Sequence, residues 1–259
     1  MLKVKDQNLV YADREVFEGI KEKIKNQSVW DINISAFAEK SLHKMIKYYL
    51  EPDEIYHEKK VDGHIADIYK NNSIIEIQTM NFSAVKEKIK HYLENNQNKI
   101  TFVYPIPAVR NLCWVDKKTG ETSKITKSQK FTDIYKFYEE IWHIQDFMSN
   151  ENFNLKIMLF EILEYKFLDG WGKSKKNNAT KIDKIPISYL GEENFNGKND
   201  YLKLIPSKIR EKGTFTSVEL AAETSIGGKP ARSFINVMKK AGLISEIGRK
   251  NRYICYKIM

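Results

Sequence analysis

The sequence predicts an α/β fold followed by a small, basic helical unit. An amphipathic helix precedes three short strand candidates, and a second amphipathic helix separates these from two more strand candidates. The chain has 259 residues, of which 42% are hydrophobic and 30% charged, and its formal net charge is +9. Residues 196–259 hold 13 Lys and Arg against 5 Asp and Glu, which leaves 30 against 29 for residues 1–195. A near-neutral body joined to a discrete anion-binding segment is therefore predicted.

The N-terminus and the cysteines exclude several classes of protein. No stretch reaches the roughly 20 apolar residues that cross a bilayer, and the start MLKVKDQNLVYADRE has no apolar signal region. We therefore expect a cytoplasmic protein with no membrane partner. Cys113 and Cys255 are far apart and belong to no C-x-x-C or His/Cys cluster, so neither a disulfide framework nor a structural zinc site is predicted.

The first half of the chain reads as a helix followed by a meander. Residues 32–50 have apolar side chains at helical spacing, and Pro52 ends this helix. Three strand candidates follow at residues 55–62, 64–69 and 73–79. The asparagines of the short segment between the last two tolerate a tight turn, so the three strands are predicted to form an antiparallel meander.

The next elements are a helix at residues 83–93 and strand candidates at 99–107 and 112–116. Residues 131–168 look helical and then strand-like. Gly, Asn and Lys are frequent in residues 170–199, which suggests a connector. The predicted division of the chain is a first domain at 1–169, a connector at 170–199 and a second domain at 200–259.

Polar side chains interrupt the apolar runs of HIADIYKNNSIIEIQT, residues 64–79. Alternate residues of a strand share a face, so Glu76 and Gln78 point the same way. The short turn brings Asp67 across from Glu76. Two carboxylates at close range raise each other's pKa unless a cation lies between them, so this arrangement favours a divalent metal site. The alternative is a half-exposed strand with its polar residues directed outward.

Glu39 is a third candidate acid. It precedes Leu42 by three residues and Ile46 by seven, so it lies within the apolar stripe that should face the sheet. From there its carboxylate can approach Asp67 and Glu76. The alternative is a residue at the edge of the stripe whose carboxylate reaches water.

An acid in a first helix, Asp67 on the second strand, Glu76-Ile77-Gln78 on the third and a covering helix resemble the PD-(D/E)xK nuclease superfamily. The resemblance covers roughly residues 32–116 and implies a restriction-endonuclease-like core. Three features depart from the family pattern. Ala66 rather than Pro precedes Asp67, the literal Pro52-Asp53 lies before the first strand, and Gln78 stands where the family usually has Lys.

The resemblance implies phosphodiester hydrolysis with Mg²⁺, for which Mn²⁺ can substitute. In this interpretation Asp67, Glu76 and the backbone carbonyl of Ile77 bind the metal. Gln78 orients the attacking water, and Glu39 positions water or a second metal. An amide at Gln78 is compatible with a tuned site and with a silent one, so a catalytically inactive core stays an alternative.

The C-terminal segment resembles a winged-helix DNA-binding domain. Three predicted helices are followed by a hairpin whose strands are LISEI and RYICYKI, with Gly248-Arg249-Lys250-Asn251 as its turn. The resemblance implies that the third helix enters the major groove and that the hairpin touches the DNA backbone. The implied DNA-binding residues are Lys229, Arg232 and Lys239 on the helix and Arg249, Lys250 and Arg252 on the hairpin. The alternative is a winged helix that contacts protein.

Together these features predict a metal-dependent endonuclease that its winged helix targets to duplex DNA. Two hypotheses compete with it: a regulatory or architectural DNA-binding protein with an inactive core, and a nuclease that acts on RNA. A homodimer is plausible because cutting both strands usually requires two sites.

Overall fold

The computed structural model describes most of the chain from residue 41 onward. The described residues are 17, 19, 41–78, 82–94, 98–116, 118–167 and 180–259. Glu39, and with it the first part of the predicted helix at 32–50, lies outside them. None of the helices in these ranges is both long and apolar enough to span a membrane.

A mixed six-stranded sheet forms the body of the protein, so the α/β class predicted from the sequence is confirmed. Its strands lie in chain order, with β1–β2–β3 and β5–β6 antiparallel and β3–β4–β5 parallel. The strands are β1 (His57–Val61), β2 (His64–Lys70), β3 (Ser73–Ile77), β4 (Lys99–Val115), β5 (Phe153–Phe167) and β6 (Thr180–Phe195). The long strands β4, β5 and β6 extend well past the end of β3.

Helices pack on both faces of the sheet. Helix α1 (Ser41–Leu50) packs Leu42, Met45 and Ile46 against Ile77 of β3, because these apolar residues recur at helical spacing. Helix α2 (Ser83–Glu94) connects β3 to β4 and packs Ile89 in the core of the other face. A 3₁₀ helix (Ile134–Glu139) and the single turn of α3 (Ile141–Ile144) precede β5 and contribute to this second core.

The C-terminal unit consists of helices beside a three-stranded sheet of order β7–β9–β8. Its elements are α4 (Ser207–Lys212), β7 (Thr214–Thr216), α5 (Ser217–Thr224), α6 (Gly228–Lys240), β8 (Ile244–Lys250) and β9 (Tyr253–Ile258). Thr216 and Glu219 form a capping box that fixes the start of α5.

This unit shares the hydrophobic core of the body. The ring of Phe234 on α6 stacks on Tyr138, with ring centroids 4.0 Å apart and planes 8° apart. The Tyr138 hydroxyl donates a hydrogen bond to the Leu204 carbonyl at 2.5 Å. Asp146 pairs with Lys86 of α2 at 3.0 Å and with Lys240 of α6 at 3.4 Å. These contacts fix α6 against the helices of the body.

Three elements differ from the sequence prediction. The candidates at 99–107 and 112–116 form one strand, β4, whose register shifts between Pro107 and Val109. Residues 180–195, predicted as part of a connector, form the edge strand β6 paired with β5. The C-terminal hairpin turns at Asn251 and Arg252 rather than at 248–251, so Arg249 and Lys250 lie on β8.

Candidate functional site

The strands β2 and β3 separate at Asp67. Their pairing runs from Lys70 and Ser73 to Ile68 and Ile75 and ends there. The Asp67 carboxylate replaces the next ladder contact, because its Oδ2 accepts a hydrogen bond from the Ile77 amide at 2.7 Å. Asp67 is therefore held beside the backbone that directly follows Glu76.

Helix α1 brings a histidine to Asp67. The Nε2 atom of His43 lies 3.3 Å from Asp67 Oδ2. Burial raises the pKa of Asp67, but the contacts with His43 and the Ile77 amide, together with the charge of Lys88, outweigh it and hold this pKa below its usual value. Asp67 therefore stays ionised at neutral pH.

Glu76 lies on the opposite side of β3 from Ile77 and contacts helix α2. Its side chain is buried, with 3% of the residue exposed, and its Oε2 accepts a hydrogen bond from the Lys88 ammonium at 2.7 Å. Lys88 also donates to the Ile65 carbonyl at 2.5 Å. Burial, followed by the negative charge of Asp67, raises the pKa of Glu76 to about 7 despite Lys88. The charges of the two carboxylates thus interact, and their pKa values are shifted in opposite directions.

Two buried oxygen atoms at this site have no hydrogen-bond partner among the described residues: Oε1 of Glu76 and the hydroxyl of Tyr92, one turn after Lys88 on α2. Burial and then the charges of Glu76 and Asp67 raise the pKa of the Tyr92 hydroxyl, so it stays protonated. An unsatisfied buried carboxylate oxygen is costly and is characteristic of a position that a ligand completes.

The residues fit a magnesium-type site. Mg²⁺ is commonly held by one or two carboxylates with water completing the shell, which matches Asp67 and Glu76. Among the described residues no three His, Cys, Asp or Glu side chains form a group that could hold a metal. Asp67 and Glu76 offer carboxylate oxygens, whereas zinc sites usually include Cys or His ligands.

The remaining predicted site residues have different positions. Ile77 lies between the two acids and donates its amide to Asp67, while its side chain packs against α1. Gln78 is partly buried, and its backbone amide donates a hydrogen bond to the Val103 carbonyl at 3.0 Å, so β4 fixes the backbone of Gln78. Glu39 lies outside the described residues.

Sequence reasoning missed His43 and Lys88. His43 follows Glu39 by four residues, one helical turn, so the face that was assigned to the acid also carries the imidazole. Lys88 lies on the covering helix α2, and its ammonium donates a hydrogen bond to Glu76. Gln78 carries no ammonium at the position where the family usually has Lys. In the sequence, His43 and Lys88 are visible as polar residues of the two predicted helices that cover the strands of Asp67 and Glu76.

The predicted DNA-binding residues fall into two groups. Within the described residues no acidic side chain pairs with Lys229, Arg232 or Arg249, and all three are exposed. Arg252 lies over the Tyr253 ring at 5.0 Å. These four leave a basic surface on α6 and on the hairpin.

The other two predicted residues belong to internal ion pairs. Lys239 pairs with Glu246. Lys250 pairs with Glu219 at 2.9 Å, and Glu219 also accepts from Lys212 at 2.8 Å. Part of the basic excess of the C-terminal unit is thus neutralised within the unit.

Comparison with protein families gives one match, to a model described as a domain of unknown function (DUF8091), over residues 40–196. The matched segment includes α1, the whole six-stranded sheet and α2, and therefore every described residue around Asp67 and Glu76. Comparisons with curated proteins and with solved structures give no match.

Proposed function

We propose that this chain, which belongs to the DUF8091 family, is a divalent-metal-dependent endonuclease that hydrolyses phosphodiester bonds of duplex DNA in the cytoplasm. The observation that carries this proposal is the meeting of Asp67 and Glu76 where β2 and β3 separate, with the buried Glu76 Oε1 unsatisfied. The order of helix, meander, helix and parallel strand supports a PD-(D/E)xK core.

Asp67, Glu76 and the Ile77 carbonyl would hold Mg²⁺ or, in its place, Mn²⁺. When bound, such an ion neutralises charge that develops on the phosphoryl group and favours ionisation of water near neutral pH. The role of the chain is to hold the carboxylates at the separation of the strands, where the folded backbone has already fixed Asp67.

Four side chains would complete the site. His43 positions Asp67 by contacting its Oδ2, and Gln78 orients the attacking water by hydrogen bonding without taking its proton. Lys88 supplies the ammonium that family members usually carry at the position of Gln78, and it faces the developing negative charge from helix α2. Glu39 would position water or a second ion.

The C-terminal unit would act as a winged helix that delivers duplex DNA. The order of its elements, with three helices and a closing hairpin, supports this role. Exposed Lys229 and Arg232 would enter the major groove from α6, and Arg249 and Arg252 would contact phosphates from the hairpin. A homodimer would place one site on each strand.

The test is cleavage of plasmid, linear and branched DNA in Mg²⁺ and in Mn²⁺. We expect wild-type protein to cut and Asp67→Ala to lose more than about a hundredfold in rate, because even partners of metal ligands contribute 10- to 100-fold. Glu94→Ala, on the exposed side of α2, is the matched control and should cut normally. Absence of cutting by the wild type on all three substrates, or unimpaired cutting by Asp67→Ala, would refute the proposal.

One observation favours a second candidate, a DNA-binding regulatory protein with an inactive core. The Lys88 ammonium already neutralises Glu76, as a metal ion would. This candidate predicts salt-dependent binding of duplex DNA, no cleavage, and no effect of Mg²⁺ on the protein.

A further inference from the structure

The segment from Lys118 to Thr132 runs back along β4. Backbone hydrogen bonds join Leu112 and Thr126 in both directions, at 2.9 and 2.8 Å, and the Thr132 amide donates to the Ala108 carbonyl at 2.8 Å. Because β5 occupies the other edge of β4, this segment lies on the edge that β3 uses earlier in the strand. It therefore continues the sheet in line with β3.

This placement aligns the segment with the candidate active site. The β3–β4 ladder ends where Ile77 pairs with Val103, directly after Glu76. Thr132 joins β4 five residues further on at Ala108, and Thr122 joins it twelve residues further on at Val115. At about 3.3 Å per residue, the segment covers the range from about 17 to about 40 Å beyond the end of β3.

Three lysines of the segment, Lys124, Lys127 and Lys130, are exposed, and no acidic side chain of the described chain pairs with them. The nearby Asp116 is engaged in its own turn, since its Oδ1 accepts from the amides of Lys118 and Thr119.

Two lysines on the long strand β5 have acidic partners. Lys156 pairs with Glu192 at 2.5 Å, and Lys166 lies 3.4 Å from Glu164. Unpaired lysines separated by Thr, Ser and Gln side chains instead match the residue types that contact phosphate oxygens.

We propose that residues 118–130 form a second DNA-contact surface, which binds the phosphate backbone of the same duplex whose scissile phosphate lies at Asp67 and Glu76. This inference rests on the proposed function for the duplex DNA and for the place of its scissile phosphate, whereas phosphate binding by the lysines is tested without cleavage. At 3.4 Å per base pair, the contacts fall about 5 to 12 base pairs from the scissile phosphate. The surface adds affinity without sequence preference, because it contacts phosphates only.

The test compares a triple variant, Lys124→Gln, Lys127→Gln and Lys130→Gln, with a control that removes the same charge. The control is Lys90→Gln, Lys99→Gln and Lys198→Gln. Exposed Lys99 begins β4 and exposed Lys198 follows β6 beside the start of β5, at the opposite end of the sheet, while exposed Lys90 lies on α2 in a pair with Glu94. Binding to duplexes of 12 and 30 base pairs is measured in EDTA over a range of salt concentrations.

For the 30-base-pair duplex, we expect the triple variant to bind at least about tenfold more weakly than wild type at 0.1 M salt. The slope of log K against log salt should become shallower by up to about 2.7, which is 0.9 for each lost phosphate contact. The control should keep the wild-type slope. Equal slopes for the triple variant and the control, or an equal loss on the 12-base-pair duplex, would overturn the proposal.

These outcomes are separable from those for the nuclease activity. A wild type that binds through this surface but never cuts would refute the endonuclease and leave the surface standing. A wild type that cuts, together with a triple variant that binds the 30-base-pair duplex normally, would support the endonuclease and refute the second DNA-contact surface. Thermal unfolding of both triple variants checks that they fold.

Discussion

Glu76 and Glu219 each accept a lysine hydrogen bond of ordinary length, 2.7 Å from Lys88 and 2.8 Å from Lys212, yet their pKa values move in opposite directions. Burial and then Asp67 raise the pKa of Glu76 to about 7. Lys212 and then Lys250 lower the pKa of Glu219 to about 2, and the Thr216 amide contributes. The side chain of Glu219 is 32% exposed, so water still solvates it.

The comparison shows that the ion pair alone does not decide the behaviour of the carboxylate. In the C-terminal unit the solvated carboxylate of Glu219 has enough hydrogen-bond donors. Its pairs with Lys212 and Lys250 hold α4, α5 and β8 together. At the separation of β2 and β3 a buried carboxylate has one cation, a second acid nearby and an unsatisfied oxygen. Such a local conflict in an otherwise consistent fold is characteristic of a functional site.

Among these predictions, removing Lys88 should have the largest effect on the free energy of unfolding. We expect Lys88→Met to lose about 3 kcal/mol in the free energy of unfolding at pH 8, because it leaves the buried Glu76 charge without its partner. The loss should be smaller by about 1.4 kcal/mol at pH 5, where Glu76 is protonated in the folded protein, because pH 8 lies about one unit above its pKa of about 7. Urea denaturation in EDTA measures both. Lys90→Met, at an exposed pair with Glu94, should change stability by less than about 0.5 kcal/mol.

The pH dependence of stability should isolate Glu76. Its pKa is higher folded than unfolded, so its contribution is fully present below about pH 4.5 and is lost as the pH rises to about 7. We expect the wild type to lose about 2 to 3 kcal/mol over this window relative to Glu76→Gln, given 1.36 kcal/mol per pKa unit. Parallel pH profiles for the two proteins in EDTA would contradict the raised pKa.

The sequence predicts Asp67 opposite Glu76, because a short turn and strict alternation set which residues face each other across a hairpin. In the structure the ladder stops one pair earlier, at Ile68 and Ile75, and the Asp67 carboxylate instead accepts a hydrogen bond from the Ile77 amide. The positions of His43 and Lys88 were not predictable in the same way. Each reaches the carboxylates from a helix on a different face of the sheet, so its contact depends on how that helix packs rather than on spacing along the chain.

Strand extents were harder to predict from the sequence than strand identities. Pro105 and Pro107 argue for a break in β4, but they lie after its ladder with β3 has ended at Val103, where a missing amide proton is tolerated. Strand β6 was obscured by the Gly, Asn and Lys of its neighbourhood. Its pairing with β5 is a long-range contact that local composition does not report.

Metal binding should have a smaller effect on stability, and this effect should depend on the site of Asp67 and Glu76. Mg²⁺ at tenfold above its Kd should raise the free energy of unfolding of the wild type by about 1.4 kcal/mol at pH 8. Glu76→Gln and Asp67→Ala should lose this gain, whereas Glu94→Gln should keep it. Thermal unfolding with and without Mg²⁺ measures the effect. An equal gain in all four proteins would indicate non-specific binding of the ion.

Glu219 should show the smallest effect, with the opposite pH dependence. Because folding lowers its pKa, its contribution is present above about pH 4.5 and is lost as the pH falls towards 2. We expect Glu219→Gln to lose about 1 kcal/mol at pH 7, from the exposed ion pairs and the capping box together. In 0.5 M salt the part due to ion pairs should disappear, since exposed charges are screened, while the effect of Lys88→Met at pH 8 should persist. Equal salt sensitivity of the two variants would show that burial does not distinguish the regions.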